Sequence, residues 1–154
     1  MVLLSWDPSL RVVYSIARDT KDQESARIEM SRMTPVWQLE KGFFQLDTSF
    51  RWIAPHARAR LWRPVEAKAF DVTVNIGPDY IQQVKRVTLK VKVDGIEIGS
   101  QEFMEQGIQT VKWPLSIAVK AATSTIEFDV SPPLETKGDP RPLGIPIVAF
   151  GFRL

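Results

Sequence analysis

Asp139-Pro-Arg-Pro-Leu-Gly-Ile-Pro-Ile-Val-Ala-Phe-Gly-Phe-Arg-Leu154 joins a proline-set turn to an apolar run. Proline locks φ, so the first residues form a rigid turn that carries Asp139 and Arg141. The turn runs into an apolar strand, Ile145 to Phe152. Such a strand has to be buried, which makes it a closing strand of a sheet.

Working back from it, Ile126 to Val130 and Val111 to Leu115 are further strand-like runs. Asp94-Gly95 lies between Val-Lys-Val and Ile-Glu-Ile. A two-residue type I′ turn needs positive φ at both centres, which Asp and Gly tolerate, so the spacing predicts a hairpin. Val87, Leu89, Val91 and Val93 alternate with Thr88, Lys90 and Lys92. Phe70, Val72, Val74 and Ile76 repeat the period, ended by Gly77-Pro78-Asp79. Ala57, Ala59 and Leu61 alternate with Arg58, Arg60 and Trp62 until Pro64, and Ala54-Pro55-His56-Ala57 reads as a turn before them. Phe44 and Leu46, then Phe50, Trp52 and Ala54, complete the pattern. About eight strands separated by turn signals predict an all-β fold, an antiparallel β-sandwich or jelly roll spanning residues 37–154.

Residues 1–36 read as a lead-in of different texture. Asp7-Pro8 resembles a helix start followed by Leu10, Val13, Tyr14 and Ala17 at helical spacing, although Val12, Tyr14 and Ile16 fit a strand equally. Ala26, Ile28 and Met30 alternate with polar residues and suggest a short edge strand.

Composition narrows the function classes. In 154 residues, 44% apolar and 25% charged content suits one ordinary globular domain. The chain has no cysteine, which excludes disulfides, thiolate nucleophiles and Cys-type zinc sites. Twenty basic and 18 acidic residues leave a net charge of +2, small for a dedicated nucleic-acid binder. No apolar run reaches the ~18 residues that would span a membrane, and Met1-Val-Leu-Leu-Ser-Trp6 lacks the basic start of a signal peptide.

Catalytic signatures are sparse. His56 is the sole histidine, and no G-x-S-x-G elbow presents a serine to it. There is no phosphate loop, H-E-x-x-H motif or EF-hand ladder. Glu127 and Asp129 share a strand face and could be set about 5–9.5 Å apart, as glycosidase chemistry requires, but a solvated face explains them as well. No metal or other cofactor is indicated, although β-sandwiches accommodate calcium and Asp71, Asp79 or Asp139 could contribute oxygens to one.

The strongest candidate surface is an aromatic and basic face. Arg58, Arg60 and Trp62 share one side of a strand, where guanidinium groups beside an indole could give cation–π contacts and a flat platform for a sugar or base. Lys90 and Lys92 form a second basic face, and adjacency of the two would attract an anionic partner. The alternative is an outer sheet face on which Trp62 packs under long Arg stems. Trp52 and Trp113 sit among apolar neighbours and read as core or rim packing.

Five short motifs occur in order: Trp37-Gln-Leu-Glu-Lys-Gly-Phe-Phe44, Phe50-Arg-Trp-Ile-Ala-Pro55, Ala59-Arg-Leu-Trp-Arg-Pro64, Val93-Asp-Gly95 and Asp139-Pro-Arg-Pro-Leu-Gly-Ile145. Together they resemble the β-sandwich accessory domains of bacterial cell-surface glycosyltransferases, including membrane proteins of the mannosyltransferase type. The resemblance implies a jelly-roll module akin to carbohydrate-binding modules, without catalysis of its own. It implies a structural role for Asp139, Arg141 and Gly144, with the Asp capping the turn and the Gly allowing close approach. Its partners would be a glycan or another protein domain, ahead of nucleic acid. A membrane-anchored parent would place it on the outer envelope face, and a free-standing chain would be cytoplasmic. No Asp-x-Asp nucleotide-sugar motif is present, so the resemblance does not extend to transferase activity. Three expectations follow: a module binding carbohydrate through Arg58, Arg60, Trp62, Lys90 and Lys92, a purely structural interaction domain, or a single-stranded nucleic-acid binder on the same patch.

Overall fold

A computed structural model describes residues 24–115, 122–136 and 138–154. The ambiguous segment Leu10–Ala17 lies outside the described residues. The described chain is an antiparallel β-sandwich, in agreement with the period-two reading. Its elements in order are β1 (Arg27–Glu29), β2 (Leu39–Asp47), β3 (Phe50–Arg63), β4 (Ala69–Ile76), α1 (Pro78–Val84), β5 (Val87–Val93), β6 (Ile96–Phe103), β7 (Gly107–Pro114), β8 (Ala122–Ser131), β9 (Leu134–Thr136), β10 (Asp139–Leu143) and β11 (Pro146–Arg153). Eight strands have seven residues or more, and three short ones join them.

The main sheet runs β6-β5-β8-β3-β11-β4-β7, with β2 on β3 and β1 on β11. It folds over itself around β3, which belongs to both layers. Its first residues pair with β11 through Arg51↔Ile147 and Trp52↔Pro146. Its second half, from His56 to Arg63, pairs with β8. The two end strands meet across the seam, where the Trp113 indole of β7 lies on the Gly99 backbone of β6. A Cβ at Gly99 would come 2.3 Å from that ring.

Three local expectations differ from what is observed. Ala54-Pro55-His56-Ala57 is the interior of β3, not a turn. Residues 54 and 55 fall in the gap between the β11 and β8 ladders and have no ladder partner in β2 either. A missing N–H costs nothing there, so proline is tolerated. Opposite it, Gly42 has φ +83° and approaches so closely that a Cβ would lie 2.5 Å from the His56 carbonyl oxygen. Gly77-Pro78-Asp79 does not merely end β4; Pro78 opens α1 at a position where its missing N–H is harmless. The segment Asp139–Leu143 is a strand paired with β9 rather than a simple turn.

Inward-facing residues build the core. Leu89 and Val91 of β5, Ile126 and Phe128 of β8 and Ala57, Ala59 and Leu61 of β3 are all fully buried. They face Phe70, Val72 and Val74 of β4 and Phe150 of β11. Aromatic edges tie the core together: Phe128 of β8 meets Phe150 of β11 at 5.1 Å and 82°, and within one layer Phe70 meets its ladder partner Phe152 at 5.4 Å and 78°. The Asp94-Gly95 hairpin joins β5 to β6 with φ +51° and +83°, the positive pair a type I′ turn requires.

Candidate functional site

Alternation along β3 turns Arg58, Arg60 and Trp62 outward, opposite buried Ala57, Ala59 and Leu61. Lys90 and Lys92 face the same way on β5. The two groups are not adjacent, because β8 lies between them and inserts carboxylates. Lys92, Glu127 and Arg58 form one row across the three strands, and Lys90, Asp129 and His56 form the next. Further acids flank the rows. Arg58 Nε lies 3.3 Å from Glu40, Arg60 Nε 2.9 Å from the buried Glu24, and Lys90 Nζ 3.8 Å from Glu97. The face is therefore a ladder of alternating charge whose positive ends are largely spent on their neighbours.

His56 is drawn into this ladder. Its Nδ1 is 2.7 Å from Asp129 Oδ1, and its Nε2 is 3.7 Å from Glu127 Oε2. Glu127 and Asp129 thus flank an imidazole on an open sheet rather than facing each other across a cleft. The cation–π contact on this face is made by Arg60 over Trp37 at 5.6 Å. Trp62 is half-buried, and its backbone N–H donates to Ser25 O.

The acids considered for calcium are otherwise engaged in two cases. Asp71 is buried and accepts from Arg27 Nη1 at 2.7 Å and Arg153 Nε at 2.5 Å. A carboxylate already neutralised by two guanidiniums is a poor cation ligand. Asp139 accepts from Arg141 Nε at 3.0 Å, from its Nη2 at 2.8 Å and from its backbone N–H at 3.0 Å. These bonds hold the Asp139 carboxyl down at about 2. The Arg141 guanidinium also lies 4.6 Å above the Phe44 ring. Gly144 passes so close to β3 that a Cβ would stand 2.8 Å from Ala54 O.

A separate concavity was not foreseen from the sequence. Phe50 and Trp52 project from the outer side of β3, where Tyr80 of α1 meets Trp52 edge-on at 5.4 Å and 75°. Pro78 and Pro146 complete an apolar cleft of about 410 Å³, within the usual range for small-molecule sites. The Tyr80 hydroxyl is turned away to donate to Gly144 O at 2.6 Å, and burial pushes its ionisation upward. Tyr80 therefore presents its ring to the cleft. Asn75, from the end of β4, and Asp79, from α1, supply the polar groups. Among the described residues neither side chain makes a hydrogen bond or ion pair. Trp52 at period-two spacing from Phe50 was the available signal, but without Tyr80 beside it the pair reads as packing.

No protein-family model and no curated protein matches this sequence. Solved structures match it in shape. An exo-β-1,3-galactanase from Phanerochaete chrysosporium, in complex with β-1,3-galactotriose, is 8% identical with a TM-score of 0.52. That match covers 84% of this chain and 29% of the galactanase. A family GH115 4-O-methyl-α-glucuronidase with specificity for decorated arabinogalactans is 9% identical with a TM-score of 0.50, over 94% of this chain and 19% of that one. The CBM36-1 domain of a multidomain xylanase from the hindgut metagenome of Trinervitermes trinervoides is 10% identical with a TM-score of 0.48, over 81% and 94%. The chain thus spans less than a third of the two enzymes, and at these identities the likeness is one of β-sandwich fold.

Proposed function

We propose that this β-sandwich is a non-catalytic carbohydrate-binding module and that a glycan rests in the Phe50–Trp52–Tyr80 cleft. One observation carries the reading: an aromatic-walled concavity holds an amide and a carboxylate with no intramolecular partner among the described residues. Sugars present apolar C–H faces to rings and hydroxyl edges to such polar groups. Sandwiches of similar shape occur within a galactanase and a glucuronidase, which is compatible with this use of the fold. An association with glycosyltransferase machinery rests on the ordered sequence motifs alone.

A glycan-array screen, followed by calorimetry on any sugar bound, tests the proposal. Trp52→Ala and Asn75→Ala should each weaken binding by about tenfold or more, while Trp62→Ala, Arg58→Ala and Lys92→Ala retain it. Loss of binding in Trp62→Ala with Trp52→Ala intact would move the site to the charged ladder.

A second reading, a module that docks on another protein, is favoured by a different surface. Met33, Val36 and Trp37 are exposed together on the turn before β2, with Met33 87% accessible. Binding of no glycan would shift weight to that surface.

A further inference from the structure

Electrostatics narrow the ligand of the cleft, on the assumption that the carbohydrate reading above is right. Every charged residue that lines the cleft is acidic: Asp79 is the sole one, and no Lys or Arg is among the lining side chains. One strand over, the ladder partner of Phe50 is Asp47, an exposed carboxylate at the same end of β3. Two basic residues of this layer are engaged elsewhere. Arg51 donates to Phe44 O, and Arg141 is held by Asp139 on the β9–β10 hairpin. Asp79 has no cationic partner among the described residues, so its charge is expressed toward whatever enters the cleft.

We infer that the cleft selects uncharged saccharides and rejects glycans carrying carboxylate, sulfate or phosphate. A carboxylate accepts hydrogen bonds from neighbouring hydroxyls of a neutral sugar, and the Asn75 amide can both donate and accept at the same edge. An acidic sugar brings a second anion to Asp79, with no guanidinium or ammonium among the lining side chains to offset it. At about 7 Å and an intermediate dielectric this repulsion corresponds to about three- to tenfold in affinity, and desolvation of the incoming anion adds to it. Aromatic faces also repel anions through their quadrupole, while they attract the partly positive C–H face of a neutral ring.

The test uses saccharides matched apart from the charged group: methyl-esterified and free-acid oligogalacturonates, 4-O-methylglucuronoxylo-oligosaccharides as methyl ester and free acid, and glucosides against glucuronides. Affinities are measured calorimetrically at 20 mM and 300 mM salt. In each pair that binds, the neutral member should bind at least about fivefold tighter at low salt, with the gap shrinking as salt rises. Asp79→Asn should weaken the neutral sugar and narrow the gap, whereas Asp47→Asn should narrow the gap and leave neutral affinity unchanged. Equal binding of both members, lost together in Trp52→Ala, would overturn the charge selection and leave the carbohydrate reading standing. Tighter binding of the acidic member would overturn it as well. Absence of binding to any saccharide would remove both.

Discussion

Asp94→Asn separates the turn chemistry of the β5–β6 hairpin from a charge network hidden beneath it. Asp94 sits at φ +51° in the type I′ turn, a conformation asparagine adopts at least as readily. On turn chemistry alone the substitution would be neutral. Yet the carboxylate also accepts from Thr125 N at 2.8 Å, from Ser124 Oγ at 2.9 Å and from Arg63 Nη1 at 3.2 Å. Arg63 is 6% exposed, so its charge has little water to fall back on.

An amide keeps the Thr125 bond and can reverse the Ser124 bond, but it turns a donor toward a guanidinium. Removing one partner of a buried pair costs about 3–5 kcal/mol. Asp94 itself is 43% exposed at its side chain, so solvent reaches the pair and about 2–3 kcal/mol is the expected loss. For a domain of this size that lowers Tm by about 4–12 °C. Thermal and urea unfolding followed by circular dichroism would measure it, with an unchanged m-value. Arg63→Met should behave oppositely. Among the described residues Nε and Nη2 of Arg63 have no hydrogen-bond partner, and methionine leaves Asp94 bound to Ser124 and Thr125. Its stability should stay within about 1 kcal/mol of the parent. If Asp94→Asn unfolds at the parent temperature, or Arg63→Met is the more damaged variant, the buried network does not contribute as argued.

Three other perturbations test separate parts of the structure. Gly144→Ala drives a methyl group into the Ala54 carbonyl at 2.8 Å, a backbone atom that cannot step aside, and should cost about 1–3 kcal/mol in denaturant titration. Gln38→Leu leaves Ser25 N–H, Ser25 O and Arg60 O without their amide partner in a fully buried site, and should lose about 3 kcal/mol or more. The depressed Asp139 carboxyl stabilises the β9–β10 hairpin above its unfolded value of about 4. That stabilisation should fade as pH falls through about 2, and in Arg141→Ala the carboxyl titration followed by NMR should return to the ordinary range.

The strands were legible because each inward face is apolar at period two, and the Asp94-Gly95 turn was legible because its backbone demand is local. Pro55 misled for a physical reason. A proline inside a strand normally signals its end, and only the change of ladder partners from β11 to β8 makes it tolerable here. The charged residues of β3 and β5 could be assigned to outward faces, but not to their neighbours. That Glu127 and Asp129 stand between them follows from strand order, which pairs segments far apart in the chain. Asp71 likewise became a partner of Arg27 and Arg153 only through the placement of β11 beside β4 and of β1 on the far side of β11. The cleft was illegible for the same reason: Trp52, Asn75 and Tyr80 come from three elements.

The central place of β11 has a consequence for the order of events during synthesis. It is the last strand of the sandwich to be made, yet it lies between β3 and β4 and also carries β1. Phe150 sits opposite Ile28 and Val72, and Ile147 opposite Arg51, so its contacts reach far back along the chain. Until it leaves the ribosome, β3 and β4 each expose an unpaired edge beside apolar side chains, the configuration most prone to intermolecular pairing. Folding must therefore wait for β11 and is governed by long-range loop closure, on the millisecond-to-second scale of non-local β topologies. The nascent chain is most vulnerable to aggregation in the interval just before its final strand docks.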